Sequence, residues 1–79
     1  MTEEVPDYVQ RMAEEFQQLD ERTTALDKFI CENPLFRDLV LPEQQDMRQQ
    51  LVHMMLYREA LQRRLLRIGE HYNLTGDKK

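Results

Sequence analysis

Apolar residues recur at alternating intervals of three and four along two segments of the chain. This spacing places side chains on one face of an α-helix and is typical of two helices that lie along each other. The two series are Val9, Met12, Phe16, Leu19, Thr23, Leu26 and Ile30, then Met47, Leu51, Met54, Arg58, Leu61, Leu65, Ile68 and Tyr72. The pattern predicts an all-α fold, an antiparallel two-helix hairpin.

Proline residues mark the predicted ends of the two helices. Pro6 suits the first turn of a helix, where a missing N–H costs nothing, and Pro34 disfavours helical geometry at Asn33. Asn33 is expected to cap a short helical turn that follows it. We therefore predict one domain over 1–79, with helix 1 at about 6–32, a short turn at 34–39, helix 2 at about 42–72 and a flexible tail at 73–79.

The segment between the two predicted helices is more apolar than a solvated connection needs to be. We expect its four large apolar residues to fold over the tip of the hairpin as a hydrophobic lid, comprising Leu35, Phe36, Leu39 and Val40.

Helix 2 carries apolar residues beside its main series. A hairpin partner covers only one side of a helix, so this additional surface favours contact with another chain, although ordinary core packing is the alternative. The residues concerned are Val52, Met55, Leu56 and Leu66.

Other means of stabilising so small a chain are absent from the sequence. At 79 residues, a single core rarely supplies more than about 3–5 kcal/mol of stability. The single Cys31 excludes an internal disulfide, and His53 and His71 lack neighbours at metal-ligand spacing. We therefore predict a homodimer or larger homo-oligomer, built as a helical bundle.

Charge and hydropathy limit the possible partners. The net charge is −4, which argues against general nucleic-acid binding. Residues 1–33 carry nine acidic and three basic side chains, whereas residues 34–79 carry six acidic and eight basic ones, which favours helix 1 lying beside helix 2. No apolar run reaches the length of a membrane span, and the acidic N-terminus is unlike a signal peptide. We expect a cytoplasmic protein without membrane contact.

Arg58 interrupts the second apolar series. An arginine in a helical seam is costly unless its charge is paired or its head reaches water. In a hairpin that turns near residue 37, the numbers of facing residues sum to about 75, which places Arg58 near Phe16, Glu14 and Gln17. A structural ion pair and a buried anion ligand are both consistent with this position.

One end of the predicted hairpin collects arginine and aromatic residues. Guanidinium forks and aromatic faces bind phosphates and nucleobases, but cations also favour a helix C-terminus simply because of its dipole. A solvated basic end and a surface for an acidic protein therefore remain as alternatives to an anion site. The residues gathered at this end are Tyr8, Arg11, Arg63, Arg64, Arg67, His71 and Tyr72.

If an anion site exists, we predict its residues as follows. Arg64 and Arg67 would act as phosphate forks, and Arg11 would join them from the facing helix. The remaining candidates are Tyr8 or Tyr57 as a stacking surface and Arg58 in reserve.

Catalytic chemistry has little support in the sequence. Cys31 has no histidine base opposite it in the expected pairing, and adjacent carboxylates such as Glu14 and Glu15 point apart on a helix. We predict a protein that is not an enzyme and that needs no cofactor.

Residues from both halves of the chain resemble those of a known family. They include Tyr8-Val9-Gln10-Arg11-Met12, Glu14, Leu19, Leu26, Phe29-Ile30, Phe36, Leu39, Pro42-Glu43-Gln44, Leu51, Tyr57, Leu61 and Arg64. The likeness covers about residues 8–68 and rests mainly on apolar helix positions. With these residues, the chain resembles a family of very small phage and prophage helical-hairpin proteins related to a crAss-like-phage product.

The resemblance implies a phage accessory protein. A share of such proteins counter host defence, and by analogy of fold this one would sequester a cyclic nucleotide signal. We therefore expect a counter-defence protein, acting in an infected bacterial host, that binds a small anionic signal such as a cyclic or linear nucleotide. One alternative is a module that docks on and inhibits a host defence protein; the other is a structural or regulatory phage protein. The docking surface would be either the acidic face Glu14, Asp20, Glu21 and Asp27 or the lid residues Leu35, Phe36 and Leu39.

Overall fold

Residues 5–72 are described by a computed structural model of the chain. Three helices follow one another, α1 (Asp7–Glu32), α2 (Leu35–Asp38) and α3 (Leu41–Tyr72). The long helices α1 and α3 pack against each other, and the short α2 forms the tip between them. The predicted all-helical hairpin is therefore confirmed for this part of the chain, whereas the predicted tail at 73–79 lies outside the described residues.

Asn33 separates α1 from α2 by satisfying backbone groups on both sides. Its backbone is extended, with φ −88° and ψ 121°, as expected for a residue before proline. Its N–H donates to the carbonyl of Phe29 at 3.1 Å, and its Oδ1 accepts the N–H of Leu35 at 2.9 Å. The expected capping role of Asn33 is confirmed.

The start of α3 is tied to the tip by a glutamine. The helix begins at Leu41, one residue before the predicted start at Pro42. The Nε2 of Gln44 donates to the carbonyls of Arg37 at 3.2 Å and Leu39 at 2.8 Å. These carbonyls would otherwise lack partners at the end of a very short helix, so Gln44 fixes the direction in which α3 leaves the tip.

The core is a single seam between the two predicted apolar stripes. Leu61 from α3 is 2% exposed and packs with Met12 and Leu19 from α1. Thr23, the polar member of the first stripe, is buried and donates its hydroxyl to the carbonyl of Leu19 at 2.6 Å. Partly buried side chains extend the seam in both directions, namely Phe16, Met54, Leu65 and Ile68.

The predicted lid is only half formed. Phe36 is 3% exposed and meets Phe29 edge to face, with ring centroids 6.2 Å apart, while the Arg48 guanidinium lies 5.0 Å above the Phe36 ring. Leu39 is half-buried, but Leu35 and Val40 are exposed. The prediction of a four-residue lid is wrong for Leu35 and Val40, because a short helix such as α2 can turn only one of its faces toward the long helices.

The outer side of α3 remains uncovered. The molecule measures 58 × 19 × 15 Å, which is about two helix diameters across and gives α3 no second helix to pack on. The additional apolar residues of α3 are all exposed, namely Val52, Met55, Leu56 and Leu66. Within residues 5–72, no helix is long and apolar enough to cross a membrane.

We expect Leu61→Ala to lower the free energy of unfolding by about 2–5 kcal/mol, because it leaves a cavity in the seam between α1 and α3. Leu35→Ala provides the matched control, since Leu35 is 60% exposed and its loss should cost less than about 0.5 kcal/mol. Urea unfolding followed by circular dichroism measures both. Equal effects of the two substitutions would contradict the assignment of the core.

Candidate functional site

A shallow groove of about 270 Å³ runs along one edge of the α1–α3 seam, at the end away from the tip. Both long helices contribute to it. Its lining consists of Tyr8, Arg11, Met12 and Glu15 from α1, with Leu61 and Arg64 from α3.

The helical spacing of these residues explains how the groove forms. Positions three and four apart are neighbours on a helix surface, so Tyr8, Arg11 and Glu15 share one face of α1. Met12 and Leu61 belong to the core and give the groove an apolar floor. The groove therefore has a small apolar floor, and polar and charged side chains line its sides.

Two arginines from facing helices meet at this groove. Between residues 5 and 72, the ion pairs are Arg58 with Asp20 at 3.0 Å and Arg63 with Glu59 at 3.8 Å. Arg11 and Arg64 therefore have no carboxylate partner within 4 Å in the described part of the chain. Their charges are available for an anion that enters the groove.

Glu15 and Tyr57 join the two helices at the same edge. The Tyr57 hydroxyl donates a hydrogen bond to Oε2 of Glu15 across the seam. This hydrogen bond raises the pKa of Tyr57, with smaller contributions from desolvation and from the negative charge of Glu15, while the charge of Arg64 lowers it slightly. Tyr57 therefore remains a protonated donor at neutral pH.

Arg58 lies on the opposite edge of the seam and is engaged there. It is half-buried, and its Nη1 contacts Oδ1 of Asp20 at 3.0 Å. The sequence-based register placed it near Phe16, Glu14 and Gln17, so its partner lies farther along α1 than predicted. The residue numbers sum to 78 for Arg58 with Asp20 and to 72 for Tyr57 with Glu15, on either side of the predicted 75. The two sums differ because residues on opposite edges of a seam reach in opposite directions along the partner helix.

The other candidate residues divide between the groove and the surface. The structure brings Tyr8, Arg11 and Arg64 together, as the sequence predicted. Arg67 is exposed and lies outside the groove lining. Arg63, which the sequence ranked below Arg64, contacts Glu59 on the exposed side of α3.

A larger groove of about 540 Å³ lies at the other end of α1, but its chemistry is unsuited to an anion. Lys28 is the one cation in its lining, and Glu32 accompanies it. The rest of this lining is apolar or uncharged, consisting of Ala25, Phe29, Asn33 and Pro34.

Cys31 lies near the tip and is exposed. Its thiol donates to Oδ1 of Asp27 at 3.5 Å, and this contact raises the pKa of Cys31. A protonated thiol is a weak nucleophile. No group of three or more potential metal ligands occurs among the described residues.

Sequence reasoning missed Glu15 as part of the groove. From the sequence, Glu15 is considered only together with Glu14, as adjacent carboxylates that point apart on a helix. The available signal was its spacing, since Glu15 follows Arg11 by four residues and Tyr8 by seven. Glu14 follows Arg11 by three residues but Tyr8 by six, and it lies outside the groove lining.

Comparison with known proteins gives one family match. The model of the family described as Sequestin matches residues 6–67, most of the chain and all of the groove. No curated protein and no solved structure matches the chain.

We expect the Glu15→Ala substitution to lower the pKa of Tyr57 toward its ordinary value, because it removes the carboxylate that accepts the phenolic proton. Residue-resolved NMR titration of the tyrosine rings measures this change. Glu14→Ala is the matched control and should leave the pKa of Tyr57 unchanged. An identical Tyr57 titration in both variants would show that Glu15 does not hold the hydroxyl.

Proposed function

The chain belongs to the Sequestin family, and from this membership we propose that it is a non-enzymatic protein that sequesters a small anionic ligand of the nucleotide type. The family name suggests a sequestering function. The groove between α1 and α3 is the proposed binding site, with Arg11 and Arg64 as its anion ligands.

The observation that carries this proposal is a pair of arginines that have no carboxylate partner among residues 5–72. Arg11 and Arg64 come from different helices and line the same groove, above the apolar floor of Met12 and Leu61. Guanidinium groups bind phosphate oxygens through paired N–H donors, and partial desolvation strengthens such contacts. Tyr8 is 52% exposed and provides an aromatic face for a base beside the arginines.

A second copy of the chain is proposed to complete the site. Ligand pockets usually enclose about 300–1,000 Å³ and bury most of the ligand, which an open groove of about 270 Å³ cannot do. The exposed apolar residues on the outer side of α3, including Val52, Leu56 and Leu66, provide the surface for such an association. Arg67, which is exposed on the same helix, is a candidate contact for a ligand held between copies.

The biological setting follows from the family resemblance of the sequence. We propose a phage-encoded counter-defence protein that acts in the cytoplasm of an infected bacterium and removes a nucleotide-type immune signal. Arg58 takes no part in this binding while it is paired with Asp20.

A second candidate function is docking on a host defence protein. The exposed apolar residues at the tip, Leu35, Val40 and Leu41, favour it. The surface differs from the one that the sequence suggested, because Phe36 is buried and Asp20 contacts Arg58.

We expect a panel of cyclic and linear nucleotides to contain a ligand that raises the melting temperature of the protein. A ligand at about a hundred times its dissociation constant adds roughly 2.7 kcal/mol of stability, which is a large shift for so small a domain. In calorimetric titrations, Arg64→Gln should weaken binding by about tenfold or more, since charged hydrogen bonds contribute about 1.5–3 kcal/mol.

Arg63→Gln is the matched control for that experiment, because Arg63 neighbours Arg64 in sequence but lies outside the groove. The affinity of the Arg63→Gln variant for the nucleotide should stay within about twofold of wild type, as for other surface substitutions. Equal loss in both variants would indicate general electrostatic attraction instead of a defined site. A panel that leaves the melting temperature unchanged throughout would favour docking.

We expect the wild-type protein to form a dimer or larger assembly at micromolar concentration, and Leu56→Asp to dissociate it by placing a charge in an apolar contact. Val40→Asp is the control, because Val40 is also an exposed apolar residue, 71% exposed against 57% for Leu56, but lies at the tip. Light scattering measures the masses, with helix content checked by circular dichroism. A monomeric wild-type protein would exclude the proposed association.

A further inference from the structure

We propose that Glu15 determines which ligands the groove accepts, by taking a hydrogen bond from the exocyclic amino group of a nucleobase. On this inference, which rests on the proposed function, the groove prefers nucleotides whose base carries an amino group over those that carry a carbonyl at the same ring position.

The negative charge of Glu15 is unfavourable in a site that binds only an anion. Among the described residues that line the groove with Arg11 and Arg64, Glu15 is the one carboxylate. A carboxylate so close to the arginines repels an entering phosphate and weakens the attraction that they provide. A ligand that brings only negative charge is therefore disfavoured, whereas one that also brings a hydrogen-bond donor can offset the repulsion.

Tyr57 holds the carboxylate in place for such a contact. Its hydroxyl occupies Oε2 of Glu15, and within the described residues no hydrogen bond involves Oε1. An ionised carboxylate is an acceptor only and has about four lone-pair positions, so acceptor capacity remains after Tyr57 has bound. A side chain anchored from the facing helix loses less conformational freedom when a ligand binds.

The chemistry of the bases then decides the selection. Cytosine and adenine carry an amino donor where uracil and hypoxanthine carry a carbonyl acceptor. A donor at this position pairs with Glu15, whereas a carbonyl oxygen faces a carboxylate oxygen and leaves both acceptors unpaired. Discrimination of this type is strong because it combines a lost hydrogen bond with a repulsive contact.

The test compares two pairs of nucleotides whose bases differ at this exocyclic position and at the adjacent ring nitrogen, which is an acceptor in the amino-bearing base and an N–H donor in the carbonyl-bearing one. The dissociation constants of cytidine and uridine 5′-monophosphate, and of adenosine and inosine 5′-monophosphate, are measured by NMR titration of the full chain. We expect wild-type protein to prefer the amino-bearing member of each pair by about tenfold or more, as for a hydrogen bond to a charged group.

Glu15→Gln keeps the size of the side chain and an oxygen that can accept the Tyr57 hydroxyl, but it removes the charge and adds an amide donor. The preference should then fall below about threefold, because an amide can pair with a donor or with an acceptor. Glu14→Gln makes the same chemical change next to Glu15, outside the groove lining, and should leave the preference at its wild-type value.

Each result has a distinct meaning. Wild-type preference that is lost in Glu15→Gln and retained in Glu14→Gln supports the inference. Binding that depends on Arg64 but shows no amino preference, or an unchanged preference in Glu15→Gln, overturns the role of Glu15 and leaves the proposed function standing. Failure of the wild-type protein to bind any of the four nucleotides, or any other in the panel, overturns the proposed function and this inference with it.

Discussion

The fold depends on a single seam, in which α1 and α3 bury one apolar stripe each. Leu61 packs between Met12 and Leu19, and nothing else in the described chain offers these helices a comparable contact. In a chain this small the margin of stability is a few kcal/mol, so most positions of the seam are apolar. Polar groups are accepted only where they find partners, as Thr23 does with the carbonyl of Leu19.

The two edges of the seam have different chemistry because consecutive residues of a helix point in different directions. Tyr57 reaches Glu15 on one edge, and its neighbour Arg58 reaches Asp20 on the other. Both contacts join the helices, but only the first borders a groove with unpaired arginines. The proposed site therefore occupies one edge of the seam, and the ion pair occupies the other.

A two-helix molecule cannot enclose a ligand by itself. Each helix turns one side to its partner and the rest to its surroundings, so a groove between them stays open. We propose that the exposed apolar residues of α3 contact a further copy of the chain and that assembly also covers the open groove. Sequestration, as proposed here, would then depend on assembly, because slow release of a small ligand requires it to be buried.

The sequence by itself determined which residues form helices and which face of each is buried. Helical periodicity is a local property, and Pro34, Asn33 and Pro42 act on their immediate neighbours, so the pattern predicted the hairpin and its stripes closely. It also brought Tyr8, Arg11 and Arg64 to one end, since an antiparallel pairing needs only the position of the turn. The register at side-chain resolution was decided by tertiary structure.

Arg58 contacts Asp20, about one helical turn farther along α1 than Glu14 and Gln17, because it lies on the opposite edge of the seam from Tyr57. The same packing joined Tyr57 to Glu15 and left Leu35 exposed beside the buried Phe36. These contacts depend on how α1 and α3 pack against each other, which cannot be read from the apolar stripe of either helix alone.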